Sequence, residues 1–503
     1  MAPTFCNRCG DAVEEGCDPR DELAELDALS ERLRLKRYDI KRKINRFHSP
    51  IVRQLPPDVT STIFEFCLPD STKFLPYTKE DLSIPLSLGA ICSYWRDIAW
   101  STPSLWSSLV VRIPRKHVPS IVIGIVKEWL ARSGQLPLSI RILSKFNNNT
   151  VSALAEIINQ YSTRWSDLDL YIPDYDYQHF NNHAPMLKSF RFHRPANVFT
   201  VHLNFRLTCP RLERASLSNF PIDGANIQWD NLTHITLYSP SIIDSFLILR
   251  KSPRLVFCKV SGFCPRNREP IIGAPVLTSL RSLQLLITTS SAVDFLNNLI
   301  APHLEEFGFP KYYMSMEVIT SFLRRSACSL RSFSLIFSIF SPFFEDFMNI
   351  LQSMPSLNTL SITSWENTTP GNYDPRNLLQ LVAKVLSSQS TSLRQGFLPN
   401  LKILEYTGKL YLRQGNYADL YSLPPADNAV HGPLHLLKLN IHPVTRIPKN
   451  MISYLSSLVE RGVTVNVLSK SEDILQSSID YYKGRKESLF QDWTDNLDSS
   501  LLS

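Results

Sequence analysis

From residue 187 onward a single pattern recurs, apolar-x-x-apolar-x-apolar, and it constrains this chain more than any other feature. It reads Leu187/Phe190/Phe192, Leu212/Ala215/Leu217, Leu232/Ile235/Leu237, Leu255/Cys258/Val260 and Leu280/Leu283/Leu285. It continues as Leu304/Phe307/Phe309, Leu330/Phe333/Leu335, Leu357/Leu360/Ile362, Leu401/Leu404/Tyr406 and Leu436/Leu439/Ile441. Up to Leu357 the starts lie 20 to 27 residues apart. Alternate residues of a strand point to opposite faces, so the last two apolar positions of each unit share one face. A unit this short cannot bury that face alone, and stacking against its neighbours is the way it becomes stable. Helical spacing separates the strands at Ala292 to Ile300, Met316 to Leu323 and Phe343 to Leu351. Strand, helix and next parallel strand, repeated, predict a curved solenoid with the strands on its concave side.

The unit resembles a leucine-rich repeat in period and pattern. The asparagine that usually closes that signature is mostly missing, with Phe220 and Pro240 standing where it would be, so the repeats are degenerate. After Leu357 the spacing widens, which marks residues 366–398 and 408–433 as insertions. Trp165/Leu168/Leu170 and Trp106/Leu109/Val111 fit as further strands. The leucines are core. The residues between them face outward: Ser189, Arg191, Arg214, Ser216, His234, Thr236, Ser282, Gln284, Ser332, Ser334, Thr359, Ser361 and Lys402. A target face is expected there, with Arg191, Arg214, His234 and Gln284 as contacts. Trp365, Tyr373, Tyr411 and Tyr421, in or beside the insertions, are the aromatic kind of anchor that interfaces favour. Their Pro, Asn and Ser content also fits plain spacers.

Ahead of the repeats, Leu55-Pro56-Pro57-Asp58 is a helix start, because proline fixes φ where no intrahelical donor is needed and an acid suits the N-terminal dipole. Apolar residues at 59, 63, 64, 66 and 67 follow, then Leu88, Ile91, Cys92, Trp95 and Ile98 at spacings of 3 and 4, then Pro103-Ser104-Leu105-Trp106. This succession resembles an F-box, in the form common in F-box proteins of mushroom-forming fungi. It departs from that pattern in Asp58, where glutamate is commoner, and in the long connection from Pro69 to Leu82. The resemblance implies an all-α module that binds a Skp-type adaptor, and through it a cullin scaffold. The adaptor-binding residues it implies are Leu55, Pro56, Pro57, Val59, Ile63, Phe64, Leu88, Ile91, Cys92 and Trp95.

The fold class expected is α/β, in five segments. Residues 1–19 form a cysteine-containing head, and 20–48 a leucine-rich helix with Leu26, Leu33, Ile40 and Phe47 spaced by seven. Lys36 and Lys43 interrupt the companion seam, so a short coiled coil and packing against the next segment both remain open. Residues 49–112 are the F-box-like module, 113–468 the solenoid and 469–503 a C-terminal tail.

With 44% apolar and 20% charged residues the chain can build sizeable cores. Its net charge of +7 is mild for 503 residues and concentrates in Arg32 to Arg46, which gives no nucleic-acid footprint. No secretory or membrane-spanning stretch is read, and nine scattered cysteines describe no disulfide framework, so a cytoplasmic or nuclear protein is expected. No Gly-rich phosphate loop, nucleophile elbow or His-Glu-x-x-His occurs, and neither an active site nor a cofactor is expected. Asp174 and Asp176 lack a third oxygen-rich partner. Cys6, Cys9 and Cys17 supply three of the four ligands that structural zinc takes, a weak metal candidate only. Three readings follow: a target-binding subunit of a cullin-type ubiquitin ligase, a repeat scaffold without ubiquitin transfer, and, least supported, a zinc-dependent nucleic-acid binder.

Overall fold

The computed structural model describes residues 19–48, 54–68, 84–115, 118–145, 149–193, 205–220, 225–264, 275–287, 290–310, 315–337, 344–364, 397–408, 434–441, 449–469 and 472–483, with single residues 222, 273 and 447. It divides into two compact units, Met1–Asp167 and Leu168–Ser503.

The first unit begins with the long helix α1 (Pro19–His48), followed by three short helices, α2 (Pro57–Phe66), α3 (Ile84–Ile91) and α4 (Ser93–Ser101). A 3-10 turn, Pro103–Trp106, leads into strand β1 (Ser108–Ile113), helix α5 (Pro119–Arg132), strand β2 (Leu138–Ser144) and helix α6 (Asn149–Asn159). β1 and β2 are parallel, with Leu109 abreast of Ile140 and Val111 abreast of Ile142, all buried. Strand-helix units therefore start at Ser108, where the triplet Trp106/Leu109/Val111 fits a strand, ahead of the segment boundary drawn at residue 113. β2 was not among the triplets read from sequence, although its alternation Leu138-x-Ile140-x-Ile142 is plain. The Arg164 guanidinium donates twice to the Leu136 carbonyl oxygen, from Nε at 2.9 Å and Nη2 at 2.7 Å, and to the Ser133 hydroxyl at 2.8 Å, pinning the turn between α5 and β2.

The second unit opens within β3 (Trp165–Tyr171), the strand where the compact division falls. β4 (Asn182–His183), β5 (Ser189–His193), β6 (Phe205–Thr208), β7 (Arg214–Ser218), β8 (Ala225–Asn226), β9 (His234–Tyr238), helix α7 (Ile242–Lys251) and β10 (Phe257–Ser261) follow. Next come β11 (Ser282–Ile287), α8 (Ser290–Asn297), β12 (Glu306–Pro310), α9 (Met316–Ser326), β13 (Ser332–Phe337), α10 (Phe344–Gln352) and β14 (Thr359–Ser364). β15 (Ile403–Gly408), β16 (Leu436–Ile441), α11 (Lys449–Glu460), β17 (Thr464–Ser469) and β18 (Glu472–Asp473) complete it.

The main sheet of this unit runs β5-β7-β9-β10 and then in chain order to β18. Its neighbours are parallel except β17 and β18. The register brings Phe190, Ala215, Ile235, Cys258, Leu283, Phe307, Phe333 and Leu360 abreast as one buried row. A second buried row two residues on joins Phe192, Leu217, Leu237 and Val260, and later Phe309, Leu335, Ile362 and Tyr406. The leading leucines, from Leu187 to Leu401, are buried under the strand starts. This strand-by-strand stacking is the leucine-rich-repeat-like solenoid expected from the period.

Four details differ from the sequence pattern. In the last triplet Leu437, not Leu436, is abreast of Leu404, and Leu434 is the buried leading leucine, so the unit was read two residues late. A strand has period two, so the slip left Leu439 in the core but put the half-exposed Leu436 in the leading position. In the early repeats, the connections carry a small parallel sheet of β4, β6 and β8 in place of helices. The turn after β7, β9 and β10 is closed by left-handed backbone at Asn219, Ser239 and Gly262 in place of an asparagine ladder. The Asn219 and Ser239 amides donate to the next strand's end, each at 3.0 Å. Finally, part of the expected tail is structured: β18 and the helical turns 474–483 bury Ile474, Leu475 and Ser478 at the last strand, covering an edge that would otherwise pair with other chains.

Leu283, Leu360 and Leu404 are fully buried. Truncating any one to alanine is expected to lower unfolding free energy by about 2–5 kcal/mol, read from chemical denaturation.

Candidate functional site

Two surfaces stand out, one in each unit. The first is built on α2. Pro56 caps the helix in extended conformation and Pro57 enters it, while the Thr60 amide and hydroxyl both donate to the Pro56 carbonyl, at 3.0 and 3.1 Å. The helix has an inner face, Thr60 and Phe64, with the Phe64 ring 4.9 Å from that of Trp95. The Cys92 thiol caps α4 by accepting from the Trp95 amide at 3.4 Å. Trp106 donates from its indole to the Ala99 carbonyl at 2.7 Å and packs edge-on against Trp129. Arg132 lies over Trp100 and Trp106, about 5 Å from each ring. Gly89 is required here, because a Cβ on it would collide with the Trp100 ring. The inner faces of these short helices are thus already satisfied.

The outer face of α2 remains. Val59, Ile63 and Phe66, at spacings of 4 and 3, form one exposed stripe, and Phe66 is 86% exposed. Leu86 and Ile91 on α3 are exposed as well. An α-helix ten residues long that is apolar on both sides is satisfied on only one by its own fold.

The residues implied by the F-box resemblance therefore separate. Val59, Ile63 and Ile91 are exposed apolar residues, Pro56 and Pro57 are exposed at the helix start, and Leu55 is half-buried. Phe64 and Leu88 are interior and hold the helices together, while Cys92 and Trp95 are half-buried and shape the start of α4. Phe66, one of the apolar positions of this helix in the sequence, is not among the implied adaptor contacts, and neither is Leu86. Spacing from Val59 was the signal that would have found Phe66.

The second surface is the polar row of the main sheet that alternates with the buried ones; it is not open throughout, since Ser189, Ser216 and Ser282, expected to face outward, are buried, as is Gly308. Arg191, Ser216, Thr236, Lys259, Gln284 and Gly308 lie abreast, then Ser334, Ser361, Glu405 and Lys438. The row mixes long polar side chains with small ones, and Thr236, Gln284, Ser334, Ser361, Glu405 and Lys438 in it are half-buried. Among the basic residues of its first strands, Arg191 is paired with Asp169 at 3.4 Å, Lys259 is half-buried, and Arg214, one row over, is exposed. His234 is exposed beside the Phe257 ring. Of the expected target contacts, Arg191 and Gln284 share this row, and Arg214 and His234 are abreast in the next one. Lys402 sits one residue ahead of β15 and outside both rows. Trp365, Tyr373, Tyr411 and Tyr421 lie outside the described residues, as do Cys6, Cys9 and Cys17.

Among the described residues no group of three His, Cys, Asp or Glu side chains is placed to hold a metal ion. Asp176 is buried, and burial holds its carboxyl above the usual range against the pull of nearby His179. Burial also pushes the Cys209 and Cys258 thiols up to about 12, so both remain protonated core residues at neutral pH. No described helix is long and apolar enough to cross a membrane.

No family model matches this chain, and no curated protein matches it. Among solved structures it is similar to an internalin, InlF, from Listeria monocytogenes, at 13% identity over 81% of this chain and 96% of that one, with a TM-score of 0.29. It is also similar to a TLR13–ssRNA13 complex, at 14% identity over 64% of this chain and 56% of that one, with a TM-score of 0.26. The repeat architecture stands on the strand register and burial described above.

Thiol chemistry checks the burial of Cys258 in its row and of Cys209 beyond β6. At pH 8 iodoacetamide is expected to label exposed Cys67 and to leave Cys209 and Cys258 unmodified until denaturant is added.

Proposed function

We propose that this protein is the target-recognition subunit of a cullin-type ubiquitin ligase, a non-catalytic receptor working in the cytoplasm or nucleus. The observation that carries the reading is the second apolar face of α2, Val59, Ile63 and Phe66, left exposed by a helix cluster whose own core is complete. Exposed apolar stripes of this kind are partner surfaces. Its place, within the segment that resembles an F-box and opened by Leu55-Pro56-Pro57-Asp58, supports a Skp-type adaptor as the partner. The outward rows of the sheet then hold a target protein. The receptor raises the effective concentration of a target lysine near a ubiquitin-loaded enzyme carried elsewhere in the complex, and makes or breaks no bond itself.

The alternative is a repeat scaffold that binds partners without ubiquitin transfer. Co-purification with a Skp-type adaptor separates the two. Replacing Ile63 and Phe66 together by alanine is expected to weaken adaptor capture at least about tenfold while changing stability by no more than about 0.5 kcal/mol, as for exposed positions. The Leu55→Ala/Pro56→Ala pair should also lose the adaptor. Phe64→Ala, in contrast, should cost about 3–5 kcal/mol of stability. Undiminished capture by both double variants would overturn the ligase reading.

On the other surface, Arg214→Glu with Lys259→Glu is expected to change the set of captured targets and leave adaptor binding intact. An unchanged set places the target site elsewhere.

A further inference from the structure

We infer that α1 is a dimerisation helix and that its partner is a second copy of itself, running antiparallel. The helix presents Leu23, Leu26, Leu33, Ile40 and Ile44 at spacings of 3, 7, 7 and 4, with Ser30 and Arg37 the polar positions on the flank of Leu23 and Ile44, and Leu29, Lys36 and Lys43 on the other flank of the same seven-residue row. These apolar residues are 50–60% exposed, and none of the described residues covers them. An isolated helix has no use for a seven-residue apolar repeat, whereas a two-helix coiled coil buries it.

Charge identifies the occupant and its direction. Between Leu23 and Glu31 the ionised side chains are all acidic: Glu25, Asp27 and Glu31. From Arg32 to Ile44 they are Arg32, Arg34, Lys36, Arg37, Lys41, Arg42 and Lys43, with Asp39 the single acid. The helix dipole favours such polarity only in the first and last turns, and here it runs the length of the helix. A parallel pair sets basic half beside basic half and brings Lys36 of one copy to Lys41 of the other across the seam. An antiparallel pair centred between Glu31 and Arg32 sets acid against base. It places Leu23 opposite Ile40, Ser30 opposite Leu33 and Leu26 against the aliphatic stem of Arg37. It also brings Asp27 beside Arg34, twice by symmetry. Arg34 already reaches Glu31 within its own helix at 2.8 Å, in a pair too exposed to hold it there.

Sedimentation of the full chain over a range of concentrations tests this. A concentration-dependent dimer is expected, weakened by salt. Asp27→Arg should weaken it about tenfold or more, and adding Arg34→Asp to that variant should restore it, since the two residues only exchange partners. A monomer at every concentration, a larger oligomer, a dimer indifferent to Asp27→Arg, or failure of the second change to rescue the first would each overturn the proposal. The paired variants keep the same composition, so restoration also excludes a folding defect as the cause of the loss.

Discussion

The contact on which the second unit depends is the one between equivalent apolar side chains on adjacent parallel strands. Cys258 beside Leu283 beside Phe307 beside Phe333 is a single row, and each member is covered because its neighbours are present. No strand buries its inner face on its own, so stability accumulates by neighbour terms and the ends need closing. At the C-terminal end, β18 and the turns 474–483 close it. Because one face is committed to the row, the opposite positions tolerate polar residues: some, such as Ser216 and Ser282, are small and buried, and others, such as Arg214, are charged and exposed. The surface proposed to hold a target is the other side of the same constraint.

The helices of the first unit show the reverse case. There the inner contacts, Phe64 on Trp95 and Trp106 on Trp129, complete a small core, yet α2 carries a further apolar stripe that this core does not use. Exposed apolar area of that sort has a cost in solubility, and a partner that covers it is the physical reason for a chain to carry it. The same argument applies to α1, where the unused stripe comes with a charge pattern that specifies what covers it.

Most of the repeat architecture was legible in the sequence, because a strand with one buried face writes its period into every second residue. Leu283, Leu360 and Leu404 lie where the pattern put them. The pattern failed where two leucines compete for one place, as Leu434 and Leu436 do, since an alternating apolar run fits registers two residues apart equally well. It was also silent on β4, β6 and β8, whose pairing is through backbone groups that any residue supplies. Of the exposed stripe on α2, Val59 and Ile63 were legible, and spacing from them points to Phe66; that Phe64 turns inward is set by its packing against Trp95. The neighbours of Arg214 needed the register, which places it abreast of His234 although they are twenty residues apart in the chain.

The central claim is that the outer face of α2 is an adaptor-docking surface on a receptor whose repeats fold independently of that contact. Hydrogen–deuterium exchange of the full chain with and without a purified Skp-type adaptor tests it most directly. The account predicts new protection over residues 54–66 and 84–91, with exchange in the main-sheet strands unchanged. Unaltered exchange in those helices at saturating adaptor, or protection confined to the strands, would contradict it.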